Sequence, residues 1–134
     1  LMNDPIKPLY TGDCPSVSGR STLTYIVGKH ESENTLHLRI AENSGKGMWC
    51  NEWASAQAIE AIVSKEPKLK ARSFCALHPG KSINTGGFVL AALRDLGLIR
   101  SSEANTRIHE HVPKATLENV VMAKTRRKKP KEAI

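Results

Sequence analysis

Aromatic residues make up only 4% of this 134-residue chain, so a buried core has to be built mainly from aliphatic side chains. Cysteine is equally sparse. Cys14, Cys50 and Cys75 are odd in number and widely spaced, which argues against a disulfide framework and leaves reduced, mostly buried thiols as the expectation. No apolar run approaches the roughly 18 residues of a bilayer span, and Leu1 to Tyr10 has neither the charged start nor the apolar stretch of a secretory signal. A cytoplasmic protein with no membrane partner is the expectation. What remains is ordinary in bulk: 40% hydrophobic and 25% charged residues, at a length that suits one domain with its own core.

Charge is unevenly placed. Residues 1–65 hold six Lys/Arg against seven Asp/Glu, residues 66–112 seven against four, and residues 113–134 seven against two, which gives −1, +3 and +5 of the formal +7. The excess is therefore concentrated near the C-terminus, and the body is close to neutral.

Residues 1–20 carry Pro5, Pro8 and Pro15 without a sustained period and read as an extended or looping lead-in, outside the main domain but able to pack on it. From Thr22 the pattern is period two. Leu23, Tyr25 and Val27, then Leu36, Leu38 and Ile40 across a polar loop, predict an antiparallel hairpin with one buried face. Asn51 is a plausible N-cap for a helix to about Lys65, carried by Ala56, Ile59, Ile62 and Val63 and stopped by Pro67. A shorter helix fits Leu69 to His78. Val89, Ala92, Leu93 and Leu96 then mark an amphipathic helix over 84–96, with Gly97 as its stop. Leu98–Arg100 and Thr106–Val112 read as a second hairpin, and Leu117, Val120 and Val121 as a last short helix. The expected fold is α+β: one globular domain over 21–123 and a disordered basic tail over 124–134.

Three helical segments followed by a hairpin over residues 51–112, and the run Ala92-Leu93-Arg94-Asp95-Leu96-Gly97-Leu98-Ile99-Arg100, resemble a recognition helix entering its wing in the winged helix-turn-helix superfamily. The resemblance implies a nucleic-acid-binding protein, of DNA more than RNA, such as a transcriptional or mobile-element regulator. It also implies that the N-terminal part of the helix from Thr85 lies in the major groove. Ser82, Asn84 and Thr85 would then meet phosphates or base edges, with Lys81 beside them, Arg94 further along the helix, and Arg100 and Arg107 on the wing. Gly86 and Gly87 have two readings: they let helix-start N–H groups approach a phosphate, or they let the helix pack closely on a neighbour.

The run Lys124-Thr125-Arg126-Arg127-Lys128-Lys129-Pro130-Lys131 has six cations in eight residues and suits polyanion contact without base reading. The competing class is a protein-interaction module or homodimer. There the first hairpin offers an edge strand or the helices an apolar face, with Leu90 off the main stripe of its helix and the tail acting as a solubilising arm.

Other chemistry finds less support. His78-Pro79-Gly80-Lys81-Ser82 ends like a phosphate-binding loop, but the earlier glycine falls on Cys75 and no apolar strand precedes it. Cys75, His78, His109 and His111 have the residue types of a zinc site without a paired Cys-x-x-Cys. Nothing local pairs a nucleophile with a base, so neither catalytic residues, metal nor cofactor are expected.

Overall fold

The computed structural model describes residues 5–45, 49–105 and 107–128. Four antiparallel strands lie in sequence order: β1 (Ile6–Pro15), β2 (Thr22–His30), β3 (Leu36–Asn43) and β4 (Ala54–Ser55). Helix α1 (Ala56–Lys65), a 3₁₀ helix (Ala71–Leu77) and α2 (Ile83–Leu96) follow. The chain then forms a second hairpin, β5 (Ile99–Ser101) and β6 (His109–His111), and ends its described part in α3 (Leu117–Lys128). The fold is α+β, with the expected N-terminal hairpin as the middle of a larger sheet.

The hairpin forms where alternation predicts it. Leu23, Tyr25 and Val27 face Leu38 and Ile40 on the buried side, with a register shift between Thr24 and Tyr25. The lead-in is extended, as expected, but over residues 6–15 it is a strand of this sheet and lies within the folded body. Tyr10, Gly12 and Cys14 are buried at period two, and the prolines are tolerated because β1 is an edge strand whose register shifts between Pro8 and Tyr10.

Helix α1 starts later than Asn51 because Ala54 and Ser55 are drawn into pairing with Leu38 and His37. Ser55 becomes the N-cap, its Oγ accepting from the Ala58 N–H at 3.1 Å. Trp53 thus stands outside the helix, with the Arg39 guanidinium 5.1 Å from its ring centroid. The segment expected as a second helix is a 3₁₀ helix, shorter at both ends. Helix α2 begins one residue before the expected Asn84 and stops at Gly97, whose φ of 93° is the left-handed conformation glycine accepts without strain.

Helix α2 is the central core element, with Val89 to Leu93 and Leu96 buried between the sheet and the other helices. Leu90, expected to need its own cover, is 2% exposed and lies inside this core. The Tyr25 hydroxyl donates to Asp95 Oδ2 at 2.6 Å, tying the end of α2 to the sheet. Burial and that carboxylate push the tyrosine pKa far upward, so the hydroxyl stays a donor. The last helix is not short and does not end at residue 123. Leu117, Val121 and half-buried Lys124 keep one stripe against the body, and the cations of the last turns suit the negative end of the helix dipole. Residues 124–128 are consequently helical where disorder was expected, and 129–134 lie outside the described residues.

Candidate nucleic-acid interface

The residues expected to read a ligand at the start of α2 divide into two groups. Ser82 is exposed and caps the helix, its Oγ accepting from the Asn84 N–H at 3.2 Å. Asn84 is exposed, and Lys81 stands nearby with its Nζ 4.0 Å from Glu52 Oε2, a surface pair of little energetic weight. Thr85 and Gly86 are buried, with Thr85 4% exposed, so neither offers a side chain to an incoming duplex. A Cβ on Gly86 would run into the Ala71 carbonyl oxygen and stand 3.0 Å from Cys75 Sγ. Of the two readings of this glycine, close packing on the 3₁₀ helix is therefore the one the geometry bears out. Gly87 has ordinary contact only, 3.7 Å to Ala71 Cβ. Among the described side chains of α2, Asn84 alone is exposed, so this helix presents no face from which several residues can reach base edges.

Arg94 is half-buried near the other end of α2, where its charge acts on Cys14 and on His109. Arg100 and Arg107 are exposed on the second hairpin. Arg100 is engaged, its Nε 2.7 Å from Glu110 Oε2 across the β5–β6 pair. Arg126 is exposed on α3, Arg127 and Lys128 are residues of that helix, and Lys129 lies outside the described residues.

A further basic group appears only in the fold. Leu69 is wholly buried and bridges to His109 through two backbone hydrogen bonds of 2.8 Å, Leu69 N–H to the His109 oxygen and the reverse. This lays the segment between α1 and the 3₁₀ helix along the free side of β6 as a third extended piece. Lys68 and Lys70 flank the buried leucine and are exposed. Lys65 precedes them at the end of α1 and Arg72 follows in the 3₁₀ helix, both exposed. None of these four, nor Arg107, has an ion pair among the described residues. The bridge thus sets the segment carrying Lys68 and Lys70 beside the hairpin carrying Arg107, with exposed Glu66 on the first and exposed Glu103 on the second, and the unpaired lysines and arginine can meet phosphate. Sequence reading missed residues 65–72 because Lys65 ended one expected helix and Lys70 and Arg72 lay in the next, so no extended segment was expected there. The alternation of Lys68, Leu69, Lys70, Ala71 and Arg72, which predicts one apolar side and one basic side, was the available signal.

The histidines do not form a centre. His78 and His109 are 4% and 3% exposed, each with an Nδ1 that has no hydrogen-bond partner. The His78 Nε2 lies 3.1 Å from the Glu52 carbonyl oxygen, and the His111 Nε2 2.7 Å from that of Ala115. Burial, then the nearby Arg94 charge, lowers the pKa of His109 below its ordinary 6.5. Among the described residues no group of three or more His, Cys, Asp or Glu side chains is placed to hold a metal ion, so Cys75, His78, His109 and His111 do not converge. Gly80-Lys81-Ser82 follows a 3₁₀ helix in place of the strand that a phosphate loop requires. No described helix is long and apolar enough to cross a membrane.

Comparison with protein families, with curated proteins and with solved structures finds no match to this chain.

Proposed function

We propose that the protein binds nucleic acid, duplex DNA in preference to RNA, and that it does so through the phosphate backbone. The observation that carries this reading is the unpaired basic group Lys65, Lys68, Lys70, Arg72 and Arg107, built where residues 68–70 lie against β6. The order of helix, 3₁₀ helix, helix and hairpin supports the winged-helix resemblance, with β5–β6 as the wing. Because Thr85 and Gly86 are buried, this reading takes the wing side as the contact, with Ser82, Asn84 and Lys81 at its margin. The basic end of α3 and the residues after it add affinity without base reading.

Fluorescence anisotropy with labelled duplex at several salt concentrations tests it. The doubly reversed variant Lys68→Glu with Lys70→Glu should bind at least about tenfold more weakly and show a salt slope reduced by about two, because each lost phosphate contact removes about 0.9 from it. Two duplexes of equal length and unrelated sequence should bind within a few-fold of each other. Unchanged affinity and slope in the reversed variant would remove this surface as the site.

A further inference from the structure

Helix α3 has a second face that the fold leaves open. Leu117 and Val121 are wholly buried, whereas Glu118, Met122 and Arg126, at i, i+4 and i+8 on the other side, are all exposed. Met122 is 48% exposed and, with Glu118, lines a groove of about 610 Å³ whose apolar edge is Leu9, Leu36 and Ala56 and whose remaining lining is polar, Lys29 and Glu33 included. Leu9 is itself 43% exposed. Two of the four large hydrophobic side chains exposed among the described residues therefore border one groove, a concentration that single surface apolar residues do not show.

The charges on this stripe are placed symmetrically. Met122 is its midpoint, and at a rise of about 1.5 Å per residue Glu118 and Arg126 each stand about 6 Å from it along the helix. Neither is in an ion pair among the described residues. A two-fold axis through Met122, perpendicular to the helix, brings Glu118 of one copy against Arg126 of the other, and does so twice. The same operation sets the two Met122 side chains against each other over the groove edge. A parallel arrangement would instead oppose Glu118 to Glu118 and Arg126 to Arg126. The stripe is thus self-complementary only in the antiparallel sense, which is the condition an isologous interface must meet. Ala123, exposed next to Met122, is small enough to let two helices approach closely.

We infer that the protein forms a two-fold homodimer through antiparallel pairing of α3, centred on Met122, with two Glu118–Arg126 ion pairs across the axis. The inference does not rest on nucleic-acid binding, and its test needs no nucleic acid.

Sedimentation equilibrium of the full chain over a broad concentration range is the measurement, with circular dichroism to check that each variant is folded. The wild type should show a reversible monomer–dimer equilibrium. Glu118→Arg alone and Arg126→Glu alone each place like charges together at two points and should raise the dissociation constant at least about tenfold. The combined variant restores opposite charges and should return to within about threefold of the wild type. Met122→Lys should leave a monomer. A wild type that stays monomeric at every concentration overturns the inference and leaves the face to a different occupant. A dimer indifferent to the single reversals, or one that the combined variant fails to restore, overturns it by assigning dimerisation to another surface.

Discussion

His109 shows how one side chain can be both a strut and a liability. Its backbone holds the Leu69 segment to β6, and its ring is buried with an unpartnered Nδ1 near Arg94. Because burial and Arg94 lower its folded pKa below the ordinary 6.5, the unfolded chain takes up a proton first as pH falls. Stability should therefore be full above about pH 6.5 and decline as pH drops from there towards the depressed folded value, below which the loss levels off. His37, lowered by burial and by His30, acts in the same direction. Thermal melts from pH 7.5 to 5 should show His109→Gln with a flatter profile than the wild type. A variant profile parallel to the wild type would exclude His109 as a source of the acid sensitivity. Tyr25 works differently: its hydroxyl joins sheet to helix through Asp95 and does not titrate in this range.

At the scale of elements, α2 packs closely on the 3₁₀ helix, with the Gly86 backbone against the Ala71 carbonyl. Gly86 permits it. A Gly86→Ala change improves helix propensity by about 1 kcal/mol in an exposed helix. Here the added methyl meets the Ala71 backbone, which cannot rotate away as a side-chain end can. The net effect should be a loss of about 1–3 kcal/mol of stability, read by urea denaturation. Gly87→Ala, with only Ala71 Cβ at 3.7 Å, should be close to neutral or slightly stabilising and serves as the control. If both substitutions stabilise equally, the packing role of Gly86 is wrong. The start of α3 is held from another direction, by Glu60 Oε2 accepting the Leu117 N–H at 2.8 Å. That contact joins residues 57 positions apart, so no local pattern announces it.

For the whole molecule the question is how charge divides between body and C-terminal segment. The last 22 residues hold +5 of the +7, yet the fold also leaves Lys65, Lys68, Lys70, Arg72 and Arg107 exposed on or beside the segment and hairpin that the Leu69–His109 bridge joins. Net charge therefore understates what one face of the body can offer to a polyanion. Deleting residues 124–134 should weaken duplex binding by an order of magnitude or more at low salt and should not abolish it. The remaining binding should keep a salt dependence that the Lys68→Glu and Lys70→Glu reversals then remove. Complete loss of binding on deletion, with the fold intact by circular dichroism, would assign all affinity to the C-terminal segment.

Periodicity alone determined much of this protein: the β2–β3 hairpin, the α2 helix with its Gly97 stop and the helical order of the middle region follow from local patterns that the fold keeps. Local rules failed where a long-range contact outweighed them. Pro5, Pro8 and Pro15 left residues 1–20 as an extended or looping lead-in, but pairing with β2 makes residues 6–15 a strand of the sheet. Asn51 is an acceptable cap, but the pairing of Ala54 and Ser55 with β3 moves the cap to Ser55. The cations after Ala123 suggested disorder, but the Leu117 and Val121 stripe and the helix dipole carry α3 to Lys128. For function the division is the same. Residue types showed how many cations the chain carries, whereas burial of Thr85 and Gly86 and the Leu69–His109 bridge decided which polar and basic side chains of the middle region reach the surface. Exposure and proximity are properties of contacts between distant segments, and only the folded chain sets them.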